Sequence, residues 1–426
     1  MPPWLWFWLV SYLVGLPNLI GGFWVPALRD ALSGSAAPGE SLMASLRLAR
    51  LAHLAELAPL LAVFLGIASL FVPQYRTWRI GRRYDLGPPP ETPAMAEIRA
   101  FLSQHAPGLS VRTNPRRGDQ LTFVYPLGYR VAGMALFGGM LRLWRRDRPA
   151  AEAVLLHEIA HYRQGDALIL GAGSPFATLL RLWLPLQLVA VVLPLLGVWA
   201  YDAAQFVVAD SAAIRTATSL THKLGQLLTL CLPGLLLILA GLLLWAASAV
   251  ILPLAGIWCA ELSADRFVMD AQGSSEGLAR AVAMLAGRTS WRRWLLSQMS
   301  HPPVGLRAWF IRHYPRRVGL LGLLWLFPLA YVGRLLLLLG RATTVLVGMP
   351  GVNVASVLAA NVQVYFRTVA PIWLGAVALL LVWPVLAVGW ERWSCGAWGT
   401  LSWRGYREHV VAAAGVAGAS LLGLLW

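Results

Sequence analysis

Four stretches without a single Asp, Glu, Lys or Arg constrain this sequence most: residues 1–28, 182–201, 224–260 and 368–390. Each is long enough to cross a hydrocarbon core of about 30 Å as an α-helix. The expected fold class is therefore mainly α, a multi-span helical membrane protein. Composition agrees, since 58% of the 426 residues are apolar and 13% are charged, where a soluble domain carries about 25% charged residues. Collagen-like, disordered and disulfide-stapled secreted classes are excluded by the same figures. Cys231, Cys259 and Cys395 are far apart and form neither a disulfide framework nor a CxxC metal pair.

The net charge of +16 comes almost wholly from arginine, Lys223 being the one lysine. Arginine is concentrated beside the apolar runs, which fits the excess of positive charge on cytoplasmic loops better than nucleic-acid binding. Trp4, Trp390 and Trp393 stand next to span ends, as an interfacial aromatic belt would place them. The first run lacks the basic start of a cleaved signal and reads as a retained anchor.

The organisation that follows has five parts. Residues 1–75 hold two spans, with His53 and Glu56 on one face near the start of the second. Residues 76–166 form a first polar segment, 167–253 two further spans, 254–317 a second polar segment, and 318–426 a carboxy-terminal membrane region of about three spans. The two polar segments carry 23 of the 35 basic residues and are expected at the cytoplasmic face. The uncharged, Asn-containing stretch 342–366 leaves seven or eight spans open. Within the first polar segment the pattern predicts a helix over 97–105 and a hairpin of strands 121–125 and 129–137 joined by Pro126-Leu127-Gly128. Gly138-Gly139 is expected to break it, and a helix follows over about 149–164, with Asp147 near its start and Gly165 as its stop. Pro253 is expected to interrupt the long apolar helix before a second polar helix over 254–270.

The residues that carry chemistry are His157-Glu158-Ile159-Ala160-His161, an HExxH on a predicted helix. Positions i and i+4 share a helix face, so both imidazoles can bind one ion. Glu158 projects beside that face and can take a proton from a metal-held water. Zinc lowers the pKa of such a water from about 15.7 to about 7. A third protein ligand is required, and Glu261 in Glu261-Leu262-Ser263-Ala264-Asp265 is the best choice. Asp265 is i+4 from it, so one carboxylate can bind metal while the other accepts the ring N–H of a ligating His. Cys259 points elsewhere on such a helix and is read as packing.

HEIAH, followed two spans later by ELSAD and then by Ser300-His301-Pro302-Pro303 with Arg307, resembles the HtpX-like membrane zinc metallopeptidases, relatives of the CAAX prenyl endopeptidases. The resemblance covers residues 97–312. It implies a cytoplasmic α+β zincin-like catalytic domain assembled from the two polar segments and holding one Zn2+. His157, His161 and Glu261 would be the ligands, Glu158 the general base and acid, and Asp265 an orienting group. The family's His-Pro and Arg positions fall on His301 and Arg307. Its Asn-Ala-Phe-like edge strand corresponds to Leu121-Thr122-Phe123, without the Asn, as a substrate-binding strand.

The expected activity is zinc-dependent hydrolysis of peptide bonds in membrane or membrane-associated proteins at the cytoplasmic face of the cell membrane, in protein quality control. The partners are protein or peptide substrates and the bilayer, not nucleic acid. Alternatives are a signal-transducing metallopeptidase that cleaves a repressor, a prenyl-peptide processing enzyme, and a non-catalytic metal-binding scaffold. A closed structural site would need four protein ligands.

Overall fold

The computed structural model describes residues 73–127, 132–164, 232–285 and 301–314, with scattered positions between 225 and 382. The expected spans over 1–28, 52–72, 182–201 and 410–426 lie outside the described residues, as do His53, Glu56, Gly128 and Gly165. The spans over 318–340 and 368–390 lie mostly outside them.

A basic helix, α1 (Pro73–Tyr84), opens the described chain. Next comes α2 (Pro93–His105), which starts where Thr92 in extended backbone accepts from Met95 N and Pro93 occupies the first turn. Three strands follow: β1 (Ser110–Asn114), β2 (Thr122–Pro126) and β3 (Ala132–Phe137). They form a sheet of order β1-β3-β2, with β1 parallel and β2 antiparallel to β3. The hairpin is therefore present as β2 and β3, while β1 joins it from outside.

The two faces of the sheet have different covers. Val124, Met134 and Leu136 are buried in the main core with the helices, whereas Tyr125, Ala135 and Phe137 are buried with Ile80 of α1. Gly138-Gly139 does not end in a loop. It starts α3 (Gly138–Arg146) directly from the last residue of β3. The reason is space: a Cβ on Gly138 would run into the Pro115 carbonyl oxygen, and one on Gly139 into that of Gln120.

The central helix, α4 (Arg148–Gln164), has 17 residues. Asp147 accepts from Ala150 N through its side chain (3.1 Å), satisfying one orphan donor of the first turn, and its carbonyl accepts the first regular helical bond from Ala151 N (3.0 Å). Ala150, Ala151, Ala153 and Ala160 are fully buried, and these small residues let neighbours approach α4 from several sides. Those neighbours are β2, α3, α5 (Leu232–Gln272) and α6 (Glu276–Leu285). A last helix, α7 (Val304–His313), packs on α5 and α6.

The 41-residue α5 runs through Pro253 without a stop, contrary to the interruption expected there. An interior proline costs a hydrogen bond and bends or weakens a helix, but here helix continues on both sides of it. Residues 254–272 thus extend α5 instead of forming a separate helix. Among the residues described with their side chains, no helix is long and apolar enough to cross a membrane. Many side chains of α5 before residue 254 lie outside that set, while its backbone carries the uncharged run 232–260.

Candidate metal centre

The helical spacing of HExxH does what geometry requires of it. His157 and His161 lie one turn apart on α4, their rings near-perpendicular and their Nε2 atoms 3.2 Å apart. The face they share meets α5 at Glu261, whose Oε2 is 3.4 Å from His157 Nε2 and whose Oε1 is 3.5 Å from His161 Nε2. His157 and Glu261 are buried, and one ligand atom from each of the three residues lies within 4.8 Å of the others. A buried link, Gln164 Nε2 to Ser263 Oγ at 2.9 Å, fixes the register of the two helices beside this contact.

These separations suit a cation. Four donors held tetrahedrally at 2.0–2.1 Å stand about 3.3–3.4 Å from one another, close to the 3.2, 3.4 and 3.5 Å found here. Two imidazoles and one carboxylate are also a donor set that zinc accepts readily. Moreover, Glu261 Oε2 is buried and no N–H is well aimed at it, although two imidazole nitrogens are close. A buried charged oxygen in that position is costly unless something positive satisfies it.

Around these three residues stand two further layers of charge. Asp265, one turn along α5, is fully buried, and its Oδ1 is 2.9 Å from His157 Nδ1. The direction of that contact is poor for a hydrogen bond, but the charge faces the ring. Asp265 is held in turn by Arg307 of α7, whose Nε and Nη2 donate to its two oxygens at 2.8 and 2.5 Å. This two-point grip is the strong, orienting kind of carboxylate contact. The second polar segment therefore contributes Glu261, which could hold a metal, the carboxylate that faces His157 and the arginine that grips it.

Electrostatics follow from burial and these neighbours. Desolvation works against every charge in the site. At Asp265 it is overcome by Arg307 and His157, which hold the carboxyl below the ordinary range. At Glu261 it is overcome by His301, His157 and His161, and the shift is well downward. Burial disfavours the charged forms of His157 and Arg307 too, yet Asp265 and Glu261 raise both pKa values. Glu158 behaves differently. Burial is its largest influence and raises its pKa, with the two histidines and the Val124 N–H only partly opposing.

Glu158 leaves the face of the two histidines and turns towards β2, where its Oε2 accepts the Val124 backbone N–H at 2.9 Å. Val124 was not singled out by sequence reasoning; the alternation of the 121–125 strand was the available signal, since it separates Val124 from Phe123 and Tyr125. Phe137 N donates to Leu121 O at 3.0 Å, so Leu121 pairs inward although it precedes β2. Thr122 and Phe123 lie in β2 itself, an edge strand of the sheet among the described residues. His301 sits in the turn before α7, more than half exposed, with Nδ1 2.9 Å from Glu261 Oε2. The structure thus brings Glu158, His157, His161, Glu261, Asp265, His301 and Arg307 into one place, with β2 alongside.

Comparison of the chain with known protein families, with curated proteins and with solved structures returns no match.

Proposed function

We propose that this protein is a membrane-embedded, zinc-dependent endopeptidase acting on membrane or membrane-associated proteins at the cytoplasmic face of the membrane. The observation that carries the reading is the convergence of His157, His161 and Glu261 beside a second, differently placed glutamate, Glu158. A purely structural site has no use for that last group. A bound zinc ion supplies Lewis acidity, polarising a scissile carbonyl and acidifying the water beside it.

The residues of the chain supply the rest. Glu158 takes the proton of the attacking water and returns it to the leaving amine. Its raised pKa brings it nearer the neutral range where both transfers are efficient. Val124 N–H holds the carboxylate in place. Because that N–H points away from β3, the Val124 carbonyl points the same way, and with the N–H taken by Glu158 the carbonyl is left to accept from an extended substrate backbone. Asp265, gripped by Arg307, holds a fixed negative charge 2.9 Å from His157 Nδ1. His301, exposed at the mouth, can donate to negative charge developing on the substrate oxygen.

The membrane part of the reading is supported by the uncharged runs and by exposed apolar side chains on helical stretches, among them Leu236, Leu243, Leu329, Leu336, Leu374 and Leu381. A bilayer is the natural cover for such surface. The resemblance to HtpX-like peptidases supports the same choice. The test is metal analysis and proteolysis of casein on purified wild type and Glu158→Gln. The variant should keep its metal while activity falls by about 10²–10⁴-fold. Unchanged proteolysis in the metal-loaded variant would exclude Glu158 as the base.

A further inference from the structure

The outer face of α1 is not accounted for by the chemistry above. Ile80 is 2% exposed and packs with Tyr125 and Phe137 on the sheet, and Tyr84, one turn later, has its ring centroid 4.9 Å from that of Phe123. With 100° per residue, these two positions define an inner side. Trp78, Arg79 and Arg82 fall on the opposite side and Arg83 on the flank beside it, and all four are exposed, Trp78 by 55%. The helix contains no acidic residue. Among the described residues no carboxylate pairs with Arg79, Arg82 or Arg83; Arg82 lies over the Trp78 ring at 5.4 Å and Arg83 over Tyr84 at 5.5 Å.

The end of α1 is anchored against the sheet. Asn114 Nδ2 donates to the Tyr84 carbonyl at 2.8 Å, and Arg117 Nη2 to that of Arg83 at 3.0 Å. The arginines therefore form a fixed surface on the back of the catalytic sheet.

We propose that this surface docks on anionic phospholipid headgroups of the adjoining membrane leaflet, seating the sheet against the bilayer. Guanidinium groups match phosphate in charge and in their two-point donor geometry. An exposed Trp beside them suits the headgroup region, where its ring is half in apolar and half in polar surroundings. The position in the chain selects a membrane over an acidic protein or nucleic acid, because residues 57–72, immediately before α1, are uncharged and apolar. The proposal rests on the membrane reading given under Proposed function, and its test separates the two.

The full chain is reconstituted into nanodiscs of phosphatidylcholine alone or mixed with phosphatidylglycerol, and amide exchange is followed over α1. Exchange should slow severalfold in the anionic discs and return to the neutral-disc rate at high salt, where screening shortens. Each arginine near an anionic surface strengthens association about fivefold, so removing three predicts a loss on the order of 100-fold. Arg79→Gln/Arg82→Gln/Arg83→Gln should abolish the lipid difference, and the triple Lys variant should retain it. Equal exchange in both lipids, persistence in the Gln variant, or protection by a DNA duplex or polyglutamate but not by phosphatidylglycerol would each overturn the docking surface. Carbonate extraction decides the spans independently. Should the chain come off as soluble protein, flotation with anionic but not neutral vesicles, lost in the Gln variant, still upholds the surface, and its absence rejects it.

Discussion

Asp265 and Arg307 are a buried ion pair, and such pairs are judged by what remains when one partner goes. Both side chains are buried and joined by two hydrogen bonds. Removing the carboxylate strands a guanidinium in a place that cannot hydrate it, at a cost of about 3–5 kcal/mol. Asp265→Asn should therefore lower the denaturation midpoint markedly, while Asp265→Asn/Arg307→Met recovers part of the loss. Metal affinity should fall about 10–100-fold in both variants, because each lacks the carboxylate facing His157. A calorimetric scan and a metal titration check the two effects separately, and full stability of Asp265→Asn would refute the pair's importance. At this scale the sequence was informative within an element. Helical spacing paired His157 with His161 and Glu261 with Asp265. The Asp265–Arg307 grip spans 42 residues and has no spacing rule to announce it.

Elements were legible where periodicity and punctuation agreed, as in α4, whose apolar pattern and Asp147 start match the observed helix to within a residue. They were illegible where a residue's meaning depends on a distant neighbour. Gly138-Gly139 looks like a break along the chain, yet its role is to let the 115–120 loop come against the start of α3. Gly139→Ala should accordingly cost about 1–3 kcal/mol through the clash with the Gln120 carbonyl, read as a lowered unfolding midpoint. β1, with Val111 as its one apolar residue, becomes a strand because β3 pairs with it in parallel. The start of α4 also predicts a pH dependence. Arg280 of α6 donates to both Asp147 oxygens, at 2.8 and 3.2 Å, and with the Ala150 N–H holds its carboxyl below the ordinary value. A depressed folded-state pKa stabilises above the unfolded value and is lost as pH falls through the folded one. Asp147→Asn should thus be less stable than wild type near neutrality, the gap narrowing below about pH 4. A gap independent of pH would show that charge is not what Asp147 contributes.

At the scale of the whole molecule, the described fold is two segments of chain closed on one another around α4. The first brings His157 and His161, the second Glu261, and the contact depends on α5 and α6 lying against α4. An ion bound by all three residues is bound only when the segments are together, so its binding free energy adds to their association. At a free concentration about 100 times the dissociation constant this amounts to about 2.7 kcal/mol. Adding zinc to metal-free protein should raise the unfolding midpoint, and a chelator should lower it again. Glu261→Ala should lose most of that response, because the second segment then holds no ligand. Glu158→Gln should keep it, because the Glu158 carboxylate faces β2 and accepts the Val124 N–H. The pair of variants separates holding the ion from using it: a catalytic carboxylate leaves the thermal response intact and removes proteolysis, whereas a ligand removes both. An equal zinc response in Glu261→Ala and wild type would mean that the ion binds the first segment alone. The second segment would then owe its place to packing, to the Gln164–Ser263 link and to the Asp147–Arg280 pair.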